Sequence, residues 1–276
     1  MRARLATLGV LLAIVAAAVL SAGCSSRLDP VASAATRTAD VSTLRFSLVL
    51  TLEMPGATGA VSLGGRGAVD SSAHRLAMTL DLSGIAALGG SSAVPRRISM
   101  IEDGTVMYMT GDGLSRVLPG GKTWVRLDLA RAADRLGLDV SGLTGGQTDP
   151  RASLAQLRKA GNVVRIGAQT IKGVATTRYN VLVDLGKGVD GLDGSAREAM
   201  KELVKRLEAA GTRYVPADAW VDADGYLRRF RLAIPDYFGP GTSFALTMDM
   251  YGFGDPVSIS MPDASEVADL TSAVSG

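Results

Sequence analysis

Hydrophobic and polar residues alternate along several stretches of the chain, which is the pattern of a β-strand with one apolar face. Residues 44–52 and 242–253 show it most clearly. The same criterion predicts further strands, one of them Gly-rich and ending near Asp70, the others over residues 74–82, 97–101, 105–110, 124–127, 163–170, 174–185, 219–222, 226–234 and 257–261. The turn pairs Asp103-Gly104, Lys172-Gly173 and Asp224-Gly225 join neighbours tightly, so about ten strands in an antiparallel sheet are predicted.

Helix signals separate some of these strands. Asp29-Pro30 combines an N-cap with proline at the first helical position, and Val31, Ala34, Ala35 and Thr38 then share one face. Ser195–Ala210 is the longest predicted helix, because a capping box precedes a stripe of Met200, Leu203, Val204 and Leu207. Shorter helices are predicted near Ala130–Leu136 and after Asp149-Pro150. The fold class is therefore α+β.

The predicted helices carry few large apolar residues, which are too few to cover the apolar side of such a sheet. Either the sheet folds onto itself as a sandwich or closed barrel, or it curls into a half-barrel and leaves an apolar cavity. Methionines suit an adaptable lining, although each could equally fill a core. The residues predicted to line a cavity are Phe46, Leu48, Leu50, Met78, Leu80, Met107, Met109, Leu203, Leu207, Phe244, Leu246, Met248 and Met250.

The start of the chain predicts export. Two arginines precede an apolar run over residues 5–20, which is short for a membrane span, and Ala22-Gly23-Cys24 follows. This resembles the bacterial lipobox, whose cysteine is lipidated and becomes the mature N-terminus; Ser21 departs from the usual leucine. We therefore expect a signal peptide over residues 1–23, lipidation at Cys24, a tether over 24–29, one domain over 30–262 and a loose tail over 263–276.

Composition restricts the chemistry. The 276-residue chain has 29 Lys and Arg against 27 Asp and Glu, and removal of the two leader arginines balances the charges, which argues against a nucleic-acid partner. Cys24 is the only cysteine and His74 the only histidine, so nucleophilic catalysis and zinc binding lack their residues. A hairpin turn explains the Asp-Gly stretch at 222–225 better than a calcium site does, and a flexible loop explains the one at 184–194 better. We expect no metal, no cofactor and no enzyme activity.

A family resemblance rests on the order of several motifs. Residues 167–185, Val215-Pro216-Ala217-Asp218-Ala219-Trp220-Val221, the Arg-rich strand 227–232, residues 248–251 and Gly254-Asp255-Pro256-Val257 together resemble the actinobacterial LppX/LprAFG lipoproteins. The resemblance implies a U-shaped antiparallel half-barrel with short helices on its concave face, similar to Lol-type carriers. It also implies that acylated envelope lipids or glycolipids bind in a hydrophobic cavity. Residues 186–194 and 59–67 depart from the family.

Three functional hypotheses follow. The first is a carrier of acylated lipids or glycolipids, anchored through Cys24 to the outer face of the cell membrane, with a membrane transporter as a candidate partner. The second is a ligand-free envelope scaffold or signalling module that binds a protein through the same fold. The third is a hydrolase built on paired carboxylates, for which the sequence identifies no pair. Arg228, Arg229 and Arg231 belong to a solvated outer face or to a lipid phosphate clamp.

Overall fold

A computed structural model describes residues 29–53, 59–84, 95–128, 130–131, 162–184, 198, 201, 204–205, 208–209, 211, 214–236 and 240–271. Helix α1 spans Pro30–Ala39. The Asp29 carboxylate accepts hydrogen bonds from the backbone N–H groups of Val31 and Ala32, which satisfies two free donors of the first turn. The buried side of α1 consists of Val31, Ala34, Ala35 and Thr38, as the helical spacing predicts.

Twelve strands form one open sheet in the described part of the chain. They are β1 (Thr43–Glu53), β2 (Val61–Asp70), β3 (Arg75–Asp81), β4 (Arg97–Asp103), β5 (Val106–Gly111), β6 (Trp124–Asp128), β7 (Asn162–Ile171), β8 (Val174–Asp184), β9 (Tyr214–Asp222), β10 (Leu227–Pro235), β11 (Ser243–Tyr251) and β12 (Val267–Asp269). Their order across the sheet is β12-β6-β5-β4-β3-β2-β1-β11-β10-β9-β8-β7. The first and the second last strand in sequence, β1 and β11, therefore pair at its centre.

The connections between strands divide by length. The short turns β2–β3, β4–β5, β7–β8 and β9–β10 all lie at one end of the strands, here called the turn end. Lys172 has a φ of 48° and Gly173 a φ of 82°, which gives the left-handed pair that a two-residue hairpin requires. The longer connections β1–β2, β3–β4, β5–β6, β8–β9 and β10–β11 leave the opposite end, the link end. Residues 129–161 join β6 to β7, which lie far apart across the sheet.

The C-terminal part differs from the sequence prediction. The predicted strand over Val257–Met261 was wrong, because this segment pairs with no strand. Its start is held instead by β1: the Thr43 hydroxyl donates to the Asp255 carbonyl and the Arg45 guanidinium to the Pro256 carbonyl. Strand β12 lies within the segment expected to be a loose tail and pairs in parallel with β6, whereas a purely antiparallel sheet of about ten strands was expected.

The main hydrophobic core lies between α1 and the sheet. Val31, Ala34 and Ala35 belong to one cluster with Leu44, Phe46, Phe230, Met248 and Met250, among others. Helix α1 contacts β9 and β10, and the buried Thr38 hydroxyl accepts a hydrogen bond of 2.9 Å from the backbone N–H of Leu227. We call the side of the sheet that carries α1 the inner face and the opposite side the outer face.

Candidate functional site

Strand register decides which of the predicted lining residues share a face, because residues directly opposite in adjacent strands point to the same side of a sheet. On the central pair, Phe46 lies opposite Met250, Leu48 opposite Met248, and Leu50 opposite Leu246. Phe244 continues the same side of β11 opposite Leu52. The inner face therefore carries all these residues.

The remaining strand residues of the predicted set join the same face. Met78 lies opposite Gly67, which in turn lies opposite Phe46, and Leu80 continues the same side of β3. Across the sheet, Met109 lies opposite Met100, and Met100 lies opposite Met78. Met107 follows on the same side of β5. The structure thus brings the eleven predicted strand residues to one face; that they line a cavity stays a prediction.

Three predicted site residues lie outside the described residues, namely Cys24, Leu203 and Leu207. In the predicted helix Ser195–Ala210, the described positions 198, 201, 204–205 and 208–209 are helical. Val204 is half-buried and packs against the core cluster, whereas Glu198, Lys201, Lys205 and Glu208 are exposed. The described residues thus have the amphipathic character that the sequence predicts.

The inner face is covered unevenly. Towards the turn end, Leu44, Phe46, Met250, Val69 and Leu76 are buried. Towards the link end and towards β6, most apolar side chains of the same face are only half-buried, although Val61 and Ile234 are buried. The half-buried residues are Leu48, Leu50, Leu52, Leu63, Met78, Leu80, Ile98, Met100, Met107, Met109, Val125, Leu127, Phe244 and Leu246. A continuous, partly solvated apolar surface therefore crosses at least six strands.

Charge separates the two faces of the central strands. On the inner face of β1, β2, β3 and β11 the register places no charged residue, whereas the outer face carries ion pairs. Arg229 and Arg178 there form two-point ion pairs with Asp249 and Asp218, with nitrogen–oxygen distances of 2.9 Å for one contact of each pair. The hydrogen bond to Asp249 raises the pKa of the Arg229 guanidinium above its ordinary value. The uncharged part of the inner face suits an acyl chain. On β4 the same face carries Glu102, opposite Leu76 and Met107.

The arginines of β10 do not form one cluster. Arg229 and Arg231 lie on the outer face, Arg231 opposite Thr247. Arg228 pairs with Asp222 at the β9–β10 hairpin and lies over the ring of Phe253. The placement of Arg229 and Arg231 agrees with the interpretation as an outer face rather than as a lipid phosphate clamp. Arg228 instead forms an ion pair within the β9–β10 hairpin.

The surface concavities among the described residues include two that contain no predicted lining residue. One, of about 720 Å³, lies beside the C-terminal half of α1, where Tyr226 stacks on Phe253 at 4.6 Å. Arg37 lies over the Tyr226 ring at 4.8 Å and completes a stack that also includes Arg228. The other, of about 510 Å³, lies on the outer face of β10, β11 and β1. An enclosed apolar cavity on the inner face therefore stays a prediction.

Other features that could support a function are few among the described residues. Among the described residues no group of three or more His, Cys, Asp and Glu side chains is placed to hold a metal ion. No helix in the described ranges is long and apolar enough to cross a membrane. His74, at the start of the predicted strand 74–82, lies exposed in the β2–β3 turn with a φ of 54°.

Comparison with known proteins gives remote similarities. No protein-family model matches the chain. A curated Streptomyces griseus protein, described as an uncharacterized 31.2 kDa protein in the rplA-rplJ intergenic region, is 29% identical over 157 residues, which are 55% of this chain and 49% of that protein. The chain thus spans about half the length of the curated relative that it matches.

Solved structures with a similar fold include lipoproteins. LppX of Mycobacterium tuberculosis is 14% identical with a TM-score of 0.45, over 84% of this chain and 100% of that one. LprF of Mycobacterium bovis is 13% identical with a TM-score of 0.45, over 85% and 96%. A LolA superfamily protein of Nitrosomonas europaea is 10% identical with a TM-score of 0.33, over 85% and 96%. The chain is similar to the lipoprotein LppX and to LprF. The family resemblance stated from the sequence is confirmed to that extent, and at these values it gives no information on ligands.

Sequence reasoning missed several members of the apolar surface, namely Leu52, Leu63, Ile98, Met100, Val125 and Leu127. Met100 lies between Met78 and Met109 in adjacent strands and is half-buried like them. The alternation of Ile98 and Met100 with Arg97 and Ser99 could have revealed it, because it places both apolar residues on one side of β4. The inner face thus carries a cross-strand row of three methionines.

Proposed function

We propose that this protein binds acylated lipids or glycolipids of the cell envelope on the inner face of its sheet and is held at the outer surface of the cell membrane by lipidation of Cys24. The observation that supports binding is the largely half-buried apolar surface on the inner face of β1–β5 and β11, which carries no charged residue on β1, β2, β3 and β11. In a monomeric protein, large contiguous apolar surfaces of this kind mark binding sites.

The energetics of an acyl ligand favour this proposal. A lipid with two long chains carries about thirty methylenes, and their burial is worth on the order of 25 kcal/mol at about 0.8 kcal/mol each. Such a molecule leaves a bilayer at a useful rate only when another apolar surface replaces the bilayer. Methionine side chains can adapt to chains of different length, because their unbranched thioethers change rotamer readily. The protein then acts as a binder or carrier rather than as an enzyme.

Lipid binding is tested with two tryptophan variants on one strand. Leu50 lies on the inner face, and its neighbour Val49, which is 46% exposed, lies on the outer face. We expect Leu50→Trp to reduce binding of a fluorescent acyl probe at least about tenfold, because the indole fills part of the apolar surface. Val49→Trp adds the same side chain to solvent and should bind like the parent protein.

The ligand itself is identified by mass spectrometry of an organic extract of the purified protein. Co-purified acylated lipid in the parent and Val49→Trp proteins, with little in Leu50→Trp, supports the proposal. Equal probe binding by both variants, or no binding by the parent protein, contradicts it. A stable protein complex without any lipid would instead favour the scaffold hypothesis.

The anchor is tested separately. Because Cys24 is the only cysteine, replacing it cannot disturb another thiol. When cells that express the full chain are fed a labelled fatty acid, we expect label and membrane attachment in the parent protein. Both should be lost in Cys24→Ser. A Cys24→Ser protein that stays labelled would overturn the proposed anchor without affecting the binding proposal.

A further inference from the structure

The outer concavity is a second candidate binding site, separate from the inner face. It forms because Ala233 on β10 lies opposite Ala245 on β11, so two methyl groups make a floor between larger neighbours. Arg231 and Thr247 border it on one side, and Ser243 and Glu53 border it towards the link end. Its volume of about 510 Å³ lies within the range of small-molecule sites.

The neighbouring cations of this face have carboxylate partners. Arg178 contacts both oxygens of Asp218, at 3.0 Å and 2.9 Å, and Arg229 contacts both oxygens of Asp249. The Trp220 ring lies between these two guanidiniums, 5.4 Å from Arg178 and 5.8 Å from Arg229. Lys172 also lies near Asp249, at 3.6 Å. These contacts engage both carboxylate oxygens of each aspartate.

Arg231 differs from these cations. Its opposite residue on β9 is Asp218, whose carboxylate Arg178 and Asn180 already occupy. Its opposite residue on β11 is the uncharged Thr247. Within the described ranges Arg231 forms no ion pair, and it is exposed at the border of the concavity. A guanidinium with free donors beside a hydroxyl group is a receptor for a carboxylate or phosphate group.

We propose that the outer concavity binds a hydroxyl-rich small molecule with one oxyanion, namely a sugar acid or a sugar phosphate, through the Arg231 guanidinium. The oxyanion takes the two-point contact with Arg231, and Thr247 adds a hydroxyl donor. Glu53, which accepts a hydrogen bond of 2.7 Å from the Ser243 hydroxyl, lies at the far side. It accepts from sugar hydroxyl groups there and repels a second negative charge. This site goes beyond the proposed lipid function and requires no acyl chain.

The test titrates the parent protein with glucuronate, glucose 6-phosphate, inorganic phosphate and glucose at constant ionic strength. Calorimetry or NMR measures the binding of each compound. We expect glucuronate and glucose 6-phosphate to bind and glucose to bind at least about tenfold more weakly, because it lacks the charged group. The preference between glucuronate and glucose 6-phosphate distinguishes a carboxylate from a phosphate ligand. Binding of inorganic phosphate as tight as that of glucose 6-phosphate would overturn a role for the sugar.

Two variants and one matched control complete the test. Arg231→Gln should weaken binding at least about tenfold, and Ala245→Leu should do the same by filling the floor while the charge stays. Arg66→Gln removes an exposed arginine of β2 outside the concavity and should leave binding unchanged. Equal losses in Arg231→Gln and Arg66→Gln, or no binding of any anion, would overturn the proposal. Acyl-probe binding should be unchanged in all three variants, so that failure here is distinct from failure of the lipid proposal.

Discussion

At the scale of single residues, two glycines on the inner face of β2 let its neighbours come close. A Cβ atom on Gly65 would lie 2.9 Å from both Leu48 Cγ and Leu80 Cδ2. A Cβ atom on Gly67 would lie 2.5 Å from Phe46 Cζ and would also meet the carbonyl oxygen of Ala77. Side chains from β1 and β3 therefore occupy the space above β2. Positions 65 and 67 need glycine because a larger residue would place its side chain in that space.

Gly67→Ala should therefore destabilise the fold. The added methyl group meets a buried ring and a backbone oxygen, and overpacking of this kind costs about 1–3 kcal/mol. The control is Gly64→Ala on the outer face of the same strand, where a Cβ atom meets nothing within 4 Å. Gly64→Ala should be neutral or stabilising by up to about 1 kcal/mol, since alanine restricts the unfolded chain. Urea unfolding measures both; equal free energies of unfolding would contradict the steric argument.

Residue-level prediction succeeded where the cause is local. The Asp29 cap and the turns at Lys172-Gly173 and Asp224-Gly225 depend on neighbours within four residues, so the sequence alone identifies them. The role of Gly67 was not predictable in this way. It depends on Phe46, which reaches Gly67 only through the register of β1 and β2.

At the scale of elements, a buried hydrogen bond adds to the apolar packing that attaches α1 to the sheet. Thr38 is fully buried, and its hydroxyl accepts from the Leu227 backbone N–H. Thr38→Val keeps the shape and leaves that N–H without a partner, which costs about 1–3 kcal/mol. Thr36→Val is the control, because the Thr36 hydroxyl donates only to the Ala32 carbonyl within the helix. Urea unfolding should show the larger loss for Thr38→Val; the reverse order would contradict the assignment.

Strand β12 adds a pH-dependent contact at the edge of the sheet. Hydrogen bonds from the hydroxyl and backbone N–H of Thr271 lower the pKa of Asp269 below its ordinary value of 3.8, and Arg126 adds to the effect. A depressed carboxyl pKa stabilises the fold above the unfolded-state pKa, and this contribution is lost as the pH falls through the folded-state value.

Asp269→Asn should therefore unfold more easily than the parent protein at pH 7, and the difference should shrink below about pH 4. Urea unfolding at several pH values measures it. Asp224→Asn, in the exposed β9–β10 turn, is the control and should match the parent protein throughout. A difference for Asp269→Asn that does not change with pH would show that the carboxylate charge contributes nothing.

The prediction of strands from the sequence failed where long-range contacts, rather than the local residue pattern, decide whether a segment joins the sheet. Residues 257–261 alternate like a strand, yet the chain before them is anchored to Thr43 and Arg45 and reaches no partner strand. Strand β12 has only three residues, and the Lys122 ammonium, which donates to the Val267 carbonyl, helps to hold it. Alternation did assign the inner face of β1, β3, β5 and β11 correctly. It could not tell which part of that face α1 covers, because this depends on how the helix packs.

At the scale of the whole molecule, the sheet consists of two halves that meet at one seam. Strands β1–β6 lie on one side and β7–β11 on the other, and the two halves pair through nine opposed residue pairs of β1 and β11. The chain passes from one half to the other only once before the C-terminal return to β6, through residues 129–161. Consequently most strand contacts are formed within a half, whereas the seam joins residues about 200 positions apart.

This division predicts that two fragments split between Gly145 and Gly146 reassociate when they are refolded together. The β1–β11 seam and the β12–β6 pair both cross the cut, so the fragments should form a one-to-one complex on size-exclusion chromatography. Met248→Asp places a charge in the seam opposite Leu48 and should abolish the complex, because a buried carboxylate without a partner costs several kcal/mol. Asp224→Asn in the same fragment should leave the complex unchanged. A complex that survives Met248→Asp would mean that the seam is not the main contact, and fragments that never associate would show that the uncut link between β6 and β7 is required for folding.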